Sequence, residues 1–327
     1  MKILVTGATG FIGGALVRRL LSEGMEVRAL VRETKSKSAG ELREAGVEIV
    51  EGDITDPSAC ARAVSGVDIV FHCAGVLGGW GKPDKLFWDV NYQGTKNMLE
   101  AAQKAKVKRF IHFSTCGVFG PLKKGETPAD ERAYNPTNIY EKTKAEAEKL
   151  SLDFAKNGLP LVVVRPEFVY GPGDMHLLPF FRSVKGRRFL FFDGGNALVH
   201  PTYIDDLIDG AMLASKNEKA LGKAFNLAGE KPIPINEFVD AMSDAMGVPR
   251  IGMSVPAIAA STAATVLDCT IGLVMQPPLT RAQVEFLSKN HASSIKSSRE
   301  VLGYSPKIGI EEGVRKTVGW YKEKNLI

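Results

Sequence analysis

Apolar residues recur along this chain in two alternating patterns. Compact runs rich in β-branched residues occupy 2–6, 26–31, 47–50, 67–72, 109–114 and 160–165, as strands buried on both faces of a parallel sheet require. Between them, apolar positions three and four apart predict helices over 11–21, 83–105 and 136–157, and Pro57 can open another. Strand and helix build βαβ units, so the expected fold is α/β, a doubly wound parallel sheet with its ligand site at the C-terminal ends of the strands. After residue 165 the alternation stops. Residues 175–198 read as a lid or substrate segment, 224–228 as a return to the sheet, and 203–215, 236–246, 280–289 and 310–322 as helices. The expected organisation is a Rossmann-type nucleotide-binding domain formed by 1–173 and 199–229, interleaved with a smaller substrate-binding domain formed by 174–198 and 230–327.

The turn after the first strand carries Gly7, Gly10 and Gly13 at three-residue spacing, directly before a helix. The first glycine permits the tight turn, the second lets a pyrophosphate approach the backbone, and the third allows close helix–strand packing, while the helix's free N–H groups face the anion. Gly7, Thr9, Gly10, Phe11, Ile12 and Gly13 are therefore cofactor-binding candidates. An acid about twenty residues further on would bind the adenosine ribose hydroxyls, but the second strand ends at Arg32, with Lys35, Lys37 and Arg28 nearby. Arginine pairs with a 2′-phosphate, so NADP is the preferred cofactor; Glu33 beside Arg32 keeps NAD open. The fourth strand ends in His72, read as a packed strand-end histidine, and then Cys73, Ala74 and Gly75, small enough to let backbone lie against a nucleotide.

The fifth strand runs into Ser114 and Thr115, whose hydroxyls emerge where the sheet opens to ligand. The following helix carries Tyr140 and Lys144 four residues apart, hence on one face. Tyr92 and Lys96 repeat that spacing in the preceding helix and are read as structural, with Asn91 at a helix kink or water site. A phenol titrates near ~10, too high for proton exchange at neutral pH, and a neighbouring ammonium favours the phenolate. Thr115, Tyr140 and Lys144 are the catalytic candidates, with Lys144 also able to hold a nicotinamide ribose.

The net charge of +5 is scattered rather than gathered into a stripe, which argues against a nucleic-acid partner. Cys60, Cys73, Cys116 and Cys269 share no metal-ligand spacing, so no metal is expected, and they read as free thiols of a reducing, cytoplasmic compartment. The first strand leaves no room for a signal peptide before it. Residues 255–275 carry no charge but Asp268 and approach a membrane span in length. Small residues and the aspartate favour a packed helix; contact with a membrane surface or an apolar substrate is the other reading.

Several pieces together resemble the extended short-chain dehydrogenase/reductases, the NAD-dependent epimerase/dehydratase superfamily, over nearly the whole chain. They are TGATGFIG at 6–13, GDITD at 52–56, HCAG at 72–75, NYQGTKNMLEAA at 91–102, STCGVFG at 114–120, YEKTK at 140–144, RPEFVYGPGD at 165–174 and HPTYIDD at 200–206. The resemblance implies Thr115, Tyr140 and Lys144 as catalytic and Asp53 on the adenine. It also implies Ile54, Pro166 and Val169 as cofactor contacts, and a homodimer through the helices bearing Lys96 and Lys144. Dehydratases of this type place an Asp-Glu pair where Cys116 and Gly117 stand, so water elimination is not expected. Nucleotide-sugar epimerases usually place asparagine at Phe168 and arginine at Val199 to hold a diphosphate. The C-terminal third is similar to the 3β-hydroxysteroid and sterol-carboxylate dehydrogenase branch, and the Arg32 end of strand two to NADP-using dihydroflavonol-type reductases.

The resulting expectation is an NADP(H)-dependent oxidoreductase that interconverts a secondary alcohol and a ketone on a hydrophobic, sterol-like or other non-nucleotide substrate. An NAD-dependent nucleotide-sugar epimerase is the alternative; a non-catalytic NADP-sensing protein is a third, against which the intact Thr115, Tyr140 and Lys144 argue. Trp80, Cys116, Phe168 and Met175 are substrate-pocket candidates, joined by Trp88, Leu177, Phe180 and Phe181, although aromatic clusters equally fill cores.

Overall fold

A computed structural model describes residues 1–123, 125–270, 277 and 279–327. The strands are β1 (Lys2–Thr6), β2 (Glu26–Val31), β3 (Glu48–Glu51), β4 (Ile69–His72), β5 (Arg109–Phe113), β6 (Leu161–Pro166), β7 (Val169–Tyr170), β8 (Phe191–Phe192), β9 (Leu198–Val199), β10 (Thr202–Tyr203), β11 (Ala224–Leu227), β12 (Ile233–Pro234) and β13 (Ser254–Val255). The helices are α1 (Phe11–Ser22), α2 (Lys37–Glu44), α3 (Pro57–Val64), α4 (Asp84–Phe87), α5 (Thr95–Ala105), α6 (Ile139–Lys156), α7 (Leu178–Lys185), α8 (Ile204–Lys216), α9 (Ile235–Met246), α10 (Ala257–Cys269), α11 (Arg281–Ser288) and α12 (Ile310–Glu323). Seven strands pair in parallel in the order β11-β6-β5-β4-β1-β2-β3. The order reverses between β1 and β4, the switch point where a doubly wound sheet opens to a nucleotide.

Two-residue alternation along each strand explains why both faces are covered. Ile3 and Val5 of β1, Ile111 of β5 and Val162 of β6 face one core with Leu16 and Leu20 of α1 and Leu207 of α8. Leu4, Phe110, Leu161 and Val163 face the other with Leu99 of α5 and Ala63 of α3. Strands apolar at every position can hold two helical layers at once. The shorter strands bind the late segments to the early ones: β8 pairs with β13, and β9 runs antiparallel to β12.

Three expected helices are altered, and one helix was not foreseen. The helix expected over 83–105 is interrupted by a π-helical turn at Trp88–Gly94, because the wider turn swings Asn91 into the interior and sets Gly94 on Ile54, where a Cβ would lie 2.6 Å from Ile54 Cδ1. The helix expected from residue 136 starts at Ile139, where the Asn138 side chain caps it by accepting from Glu141 N at 2.9 Å. The helix expected from 203 starts at Ile204, since Tyr203 pairs with Tyr170 in a short parallel strand. Helix α2 was not legible at all: it buries only Ala39 and Leu42, too few for a periodic signal.

Residues 175–198 are built into the fold: Phe181 of α7 is fully buried and packs edge-on against Tyr321, ring centroids 5.2 Å apart. In the 255–275 stretch, α10 packs through Ala260 and Ala264 against Phe192 and Val284 but leaves Ile258 84% and Val266 58% exposed. Residues 271–275 of that stretch lie outside the described residues. Among the described residues no helix is long and apolar enough to cross a membrane.

Candidate active site

The glycine turn fits a dinucleotide phosphate by its geometry. Gly7 has φ +70°, and a Cβ there would lie 2.8 Å from Ala74 N, so β1 and the Cys73–Ala74 backbone meet only through glycine. A Cβ on Gly13 would come 2.7 Å from the Gly7 carbonyl carbon, which fixes α1 tightly onto the turn. Gly10 caps α1 with no side-chain bond, and the first turn holds no acid, so the helix N-terminus remains open to an anion. At the outer edge Arg32 stands 3.7 Å from Asp53, and Lys35 is exposed beside it. Asp53 also accepts from Thr55 N and Thr55 Oγ1, both at 2.9 Å. Ile54 is buried below, and Pro166 and Val169 lie at the end of β6 and the start of β7.

Thr115, Tyr140 and Lys144 meet at the C-terminal end of β5. The Thr115 side chain bonds with the Tyr140 phenol, which favours the phenolate, but burial outweighs it and pushes the phenol up to about 12. Lys144 is buried, and its Nζ donates to Phe113 O at 2.5 Å. Burial draws its ammonium down to about 8, against the opposing pull of Glu148 and of Cys73, which it neighbours. Glu148, one turn further along α6, is fully buried; it takes Arg165 Nε at 2.8 Å, the Tyr134 hydroxyl at 2.8 Å and the Ser114 hydroxyl.

Two joints hold this arrangement to the nucleotide end. His72, read from sequence as packed, bridges Thr6 Oγ1 at 2.8 Å and Thr95 Oγ1 at 3.0 Å, and burial holds its ring neutral by drawing it down to about 3. Asn91 accepts from Val76 N at 2.7 Å and donates to Val76 O at 3.1 Å and Thr143 Oγ1 at 3.2 Å, tying the loop after β4 to the residue before Lys144. Tyr92 stacks edge-on with Trp88 at 5.7 Å, and Lys96 pairs with Glu100.

The substrate-pocket candidates separate. Phe168, with φ +39°, packs its ring 5.2 Å from Phe238 and 5.5 Å from Phe286. Trp80 and Met175 are exposed, whereas Cys116 is buried and donates to Arg165 O at 3.2 Å, so its thiol points into the protein. Sequence reasoning missed Glu141. A Cβ on Gly117 would lie 3.3 Å from Glu141 Oε1 and 3.4 Å from Thr115 Oγ1, so both groups border Gly117, while Glu141 Oε2 accepts from Thr137 N at 2.7 Å and Thr137 Oγ1 at 3.0 Å. Burial and the nearby charge of Glu285 raise it. Its place directly after Tyr140 was the available signal.

The family model for the NAD dependent epimerase/dehydratase family matches residues 3–228. The chain belongs to that family. It is 35% identical to a 2-alkyl-3-oxoalkanoate reductase of Stenotrophomonas maltophilia (strain K279a), over 97% of this chain and 98% of that one. It is 31% identical to a 3 beta-hydroxysteroid dehydrogenase/Delta 5-->4-isomerase of Mycobacterium tuberculosis, over 98% of this chain and 90% of that one. The crystal structure of UDP-glucuronic acid 4-epimerase from Bacillus cereus in complex with NAD superposes with a TM-score of 0.78 at 25% identity, covering 99% of each chain. As a member of this epimerase/dehydratase family the protein is an oxidoreductase of the extended short-chain dehydrogenase/reductase type, and the family's cofactor is a nicotinamide dinucleotide.

Proposed function

We propose that the protein interconverts a secondary alcohol and a ketone on an apolar substrate without a nucleotide, using NADP(H) in preference to NAD(H). The observation that carries this reading is the meeting of Thr115, Tyr140 and Lys144 at the end of β5. Bound dinucleotide supplies or removes the hydride. The side chains manage the oxygen and its proton. In reduction, Thr115 and Tyr140 hold the ketone oxygen and the phenol gives up its proton as the alcohol forms; in oxidation the phenolate takes that proton back. With the phenol at about 12, exchange at neutral pH needs assistance, which an ammonium one helical turn along at Lys144 would supply.

Two features support an apolar substrate. Phe168 and Val199 stand where epimerases usually place diphosphate-binding asparagine and arginine, and Phe168 belongs to an aromatic cluster with Phe238 and Phe286. Glu141 beside Gly117, with Glu285 near it, would repel a dianion. The names of the Stenotrophomonas and Mycobacterium relatives agree with ketone or hydroxysteroid chemistry. Arg32 and Lys35 at the adenosine end support NADP.

The likeness to the Bacillus cereus epimerase favours a second reading, an epimerase that retains one NAD through each turnover. Denaturing the purified protein and counting the released nucleotide separates the two. The first reading expects an empty protein that binds NADPH more tightly than NADH and oxidises it with apolar ketones. Stoichiometric, firmly held NAD would overturn it in favour of the epimerase.

A further inference from the structure

One polar cluster takes no part in the chemistry above, although it adjoins Cys116, the residue after Thr115. Glu167 follows β6, His200 lies between β9 and β10, and Ser293 follows α11; they are 8%, 1% and 1% exposed. His200 Nε2 lies 3.0 Å from Gly229 O. A carbonyl only accepts, so the ring proton sits on Nε2 and leaves Nδ1 as a bare acceptor. That Nδ1 is 3.8 Å from Glu167 Oε2, too far for a direct hydrogen bond. Nδ1, Oε2 and Ser293 Oγ are all buried without a hydrogen-bond partner among the described residues. Ser293 nonetheless neighbours both others: it eases the charge on Glu167, and its backbone reaches His200.

Buried polar atoms in folded proteins are almost always hydrogen-bonded to protein or to an ordered oxygen. Nδ1 and Oε2, both unpaired and 3.8 Å apart, therefore mark a site for a bridging oxygen, with Ser293 close to the Glu167 carboxyl. Its chemistry is specific. The imidazole nitrogen can only accept, and the carboxyl beside it repels anions, so a carboxylate or phosphate is excluded. An oxygen placed ~2.8 Å from both Nδ1 and Oε2 would bridge them at close to a right angle: water can donate to both, and an alcohol hydroxyl can give its one proton to Nδ1 while accepting from the protonated Glu167 carboxyl, which burial makes accessible near neutral pH.

We propose that Glu167, His200 and Ser293 form a buried subsite for a single hydroxyl oxygen, supplied either by water or by a substrate hydroxyl next to the reacting carbon. Cys116 links the subsite to the chemistry, because its thiol faces the Glu167 carboxyl while its backbone continues from Thr115. The substrate form of the proposal rests on the alcohol–ketone reading; the subsite itself does not.

Crystals of the purified wild-type protein, diffracting well enough to place waters, test the site directly. The expected result is an oxygen within hydrogen-bond distance of both Nδ1 and Oε2. Density with no such oxygen and a direct His200–Glu167 contact would overturn the subsite. The source is then read from kcat/KM with NADPH for a hydroxymethyl ketone and the methyl ketone of the same chain length. A preference of about tenfold or more for the hydroxymethyl ketone, lost in Glu167→Ala and in Ser293→Ala, assigns the substrate hydroxyl. Equal rates in the wild type, with the oxygen present, assign water. A preference that survives both substitutions overturns the substrate form. Reduction of neither ketone counts against the alcohol–ketone reading, and the density alone then decides the subsite.

Discussion

Arg32 Nε stands 3.7 Å from Asp53 Oδ2, joining the end of β2 to the turn after β3. The Arg32 side chain is 70% exposed and the contact is long, so the pair contributes little to folding and leaves the guanidinium free to meet an anion. Arg32→Asp should fold normally and weaken NADPH binding by about 10–100-fold while NADH binding holds or improves. Fluorescence titration with both nucleotides checks this. An unchanged NADPH-to-NADH ratio would remove Arg32 from the basis for NADP preference.

The bond between Thr115 and Tyr140 gives the second prediction. Tyr140→Phe keeps the ring and its packing but deletes the proton. Turnover should fall by about 10²–10⁴-fold while dinucleotide affinity stays within about twofold of wild type. Steady-state kinetics alongside a binding titration separates the two quantities. Substantial residual turnover would mean that another group moves the proton.

Much of this was legible in the sequence because the signals were local. Strand runs, the spacing of Gly7, Gly10 and Gly13, and Tyr140 with Lys144 each lie within a few residues. What escaped was set by distant neighbours. The kink expected at Asn91 is present, but its form, a wide turn set against Ile54 and Val76 from two separate loops, was not legible. Cys116 looked like a pocket residue from its place after Thr115, but Arg165 O, from the neighbouring strand, draws the thiol inward. Glu141 and Thr115 both close on Gly117, which leaves room for them by having no side chain, a fact of tertiary approach and not of spacing.

Lys144 sets the pH dependence. Burial holds it at about 8, so it is charged below that value and neutral above it; Glu148 and Cys73 face it and work against the shift, while buried His72 and His112 lie close by. Tyr140, at about 12, stays protonated throughout the working range. Ketone reduction needs the phenolic proton and the ammonium together. Its rate should be level towards neutral pH and fall by about tenfold per unit above a midpoint near 8. Alcohol oxidation, which requires the phenol's proton to be gone, should reach its maximum at a higher pH. A reduction profile that stays level to far higher pH would mean that the ammonium plays no part.

Glu148 links that titration to the fold. It is fully buried, holds Arg165 through Nε at 2.8 Å and Nη2 at 2.5 Å, and lies one helical turn from Lys144, whose charged form it favours. Glu148→Ala would strand the buried Arg165 charge, leaving exposed Glu131 as its one carboxylate among the described residues, and should cost about 3–5 kcal/mol. Glu148→Gln is the more informative change. It keeps the shape of the side chain and one acceptor oxygen, so that only one of the Ser114 and Tyr134 hydroxyls must turn to accept from the new amide, but it removes the charge that supports the Lys144 ammonium. Thermal stability should fall by less than in the alanine variant, and the alkaline limb of the reduction profile should move to lower pH. Melting curves and pH–rate profiles measured on the same preparation distinguish the two effects. A lower melting temperature with the limb unmoved would confine Glu148 to holding Arg165; a moved limb would make it a positioning residue that acts on the chemistry through Lys144.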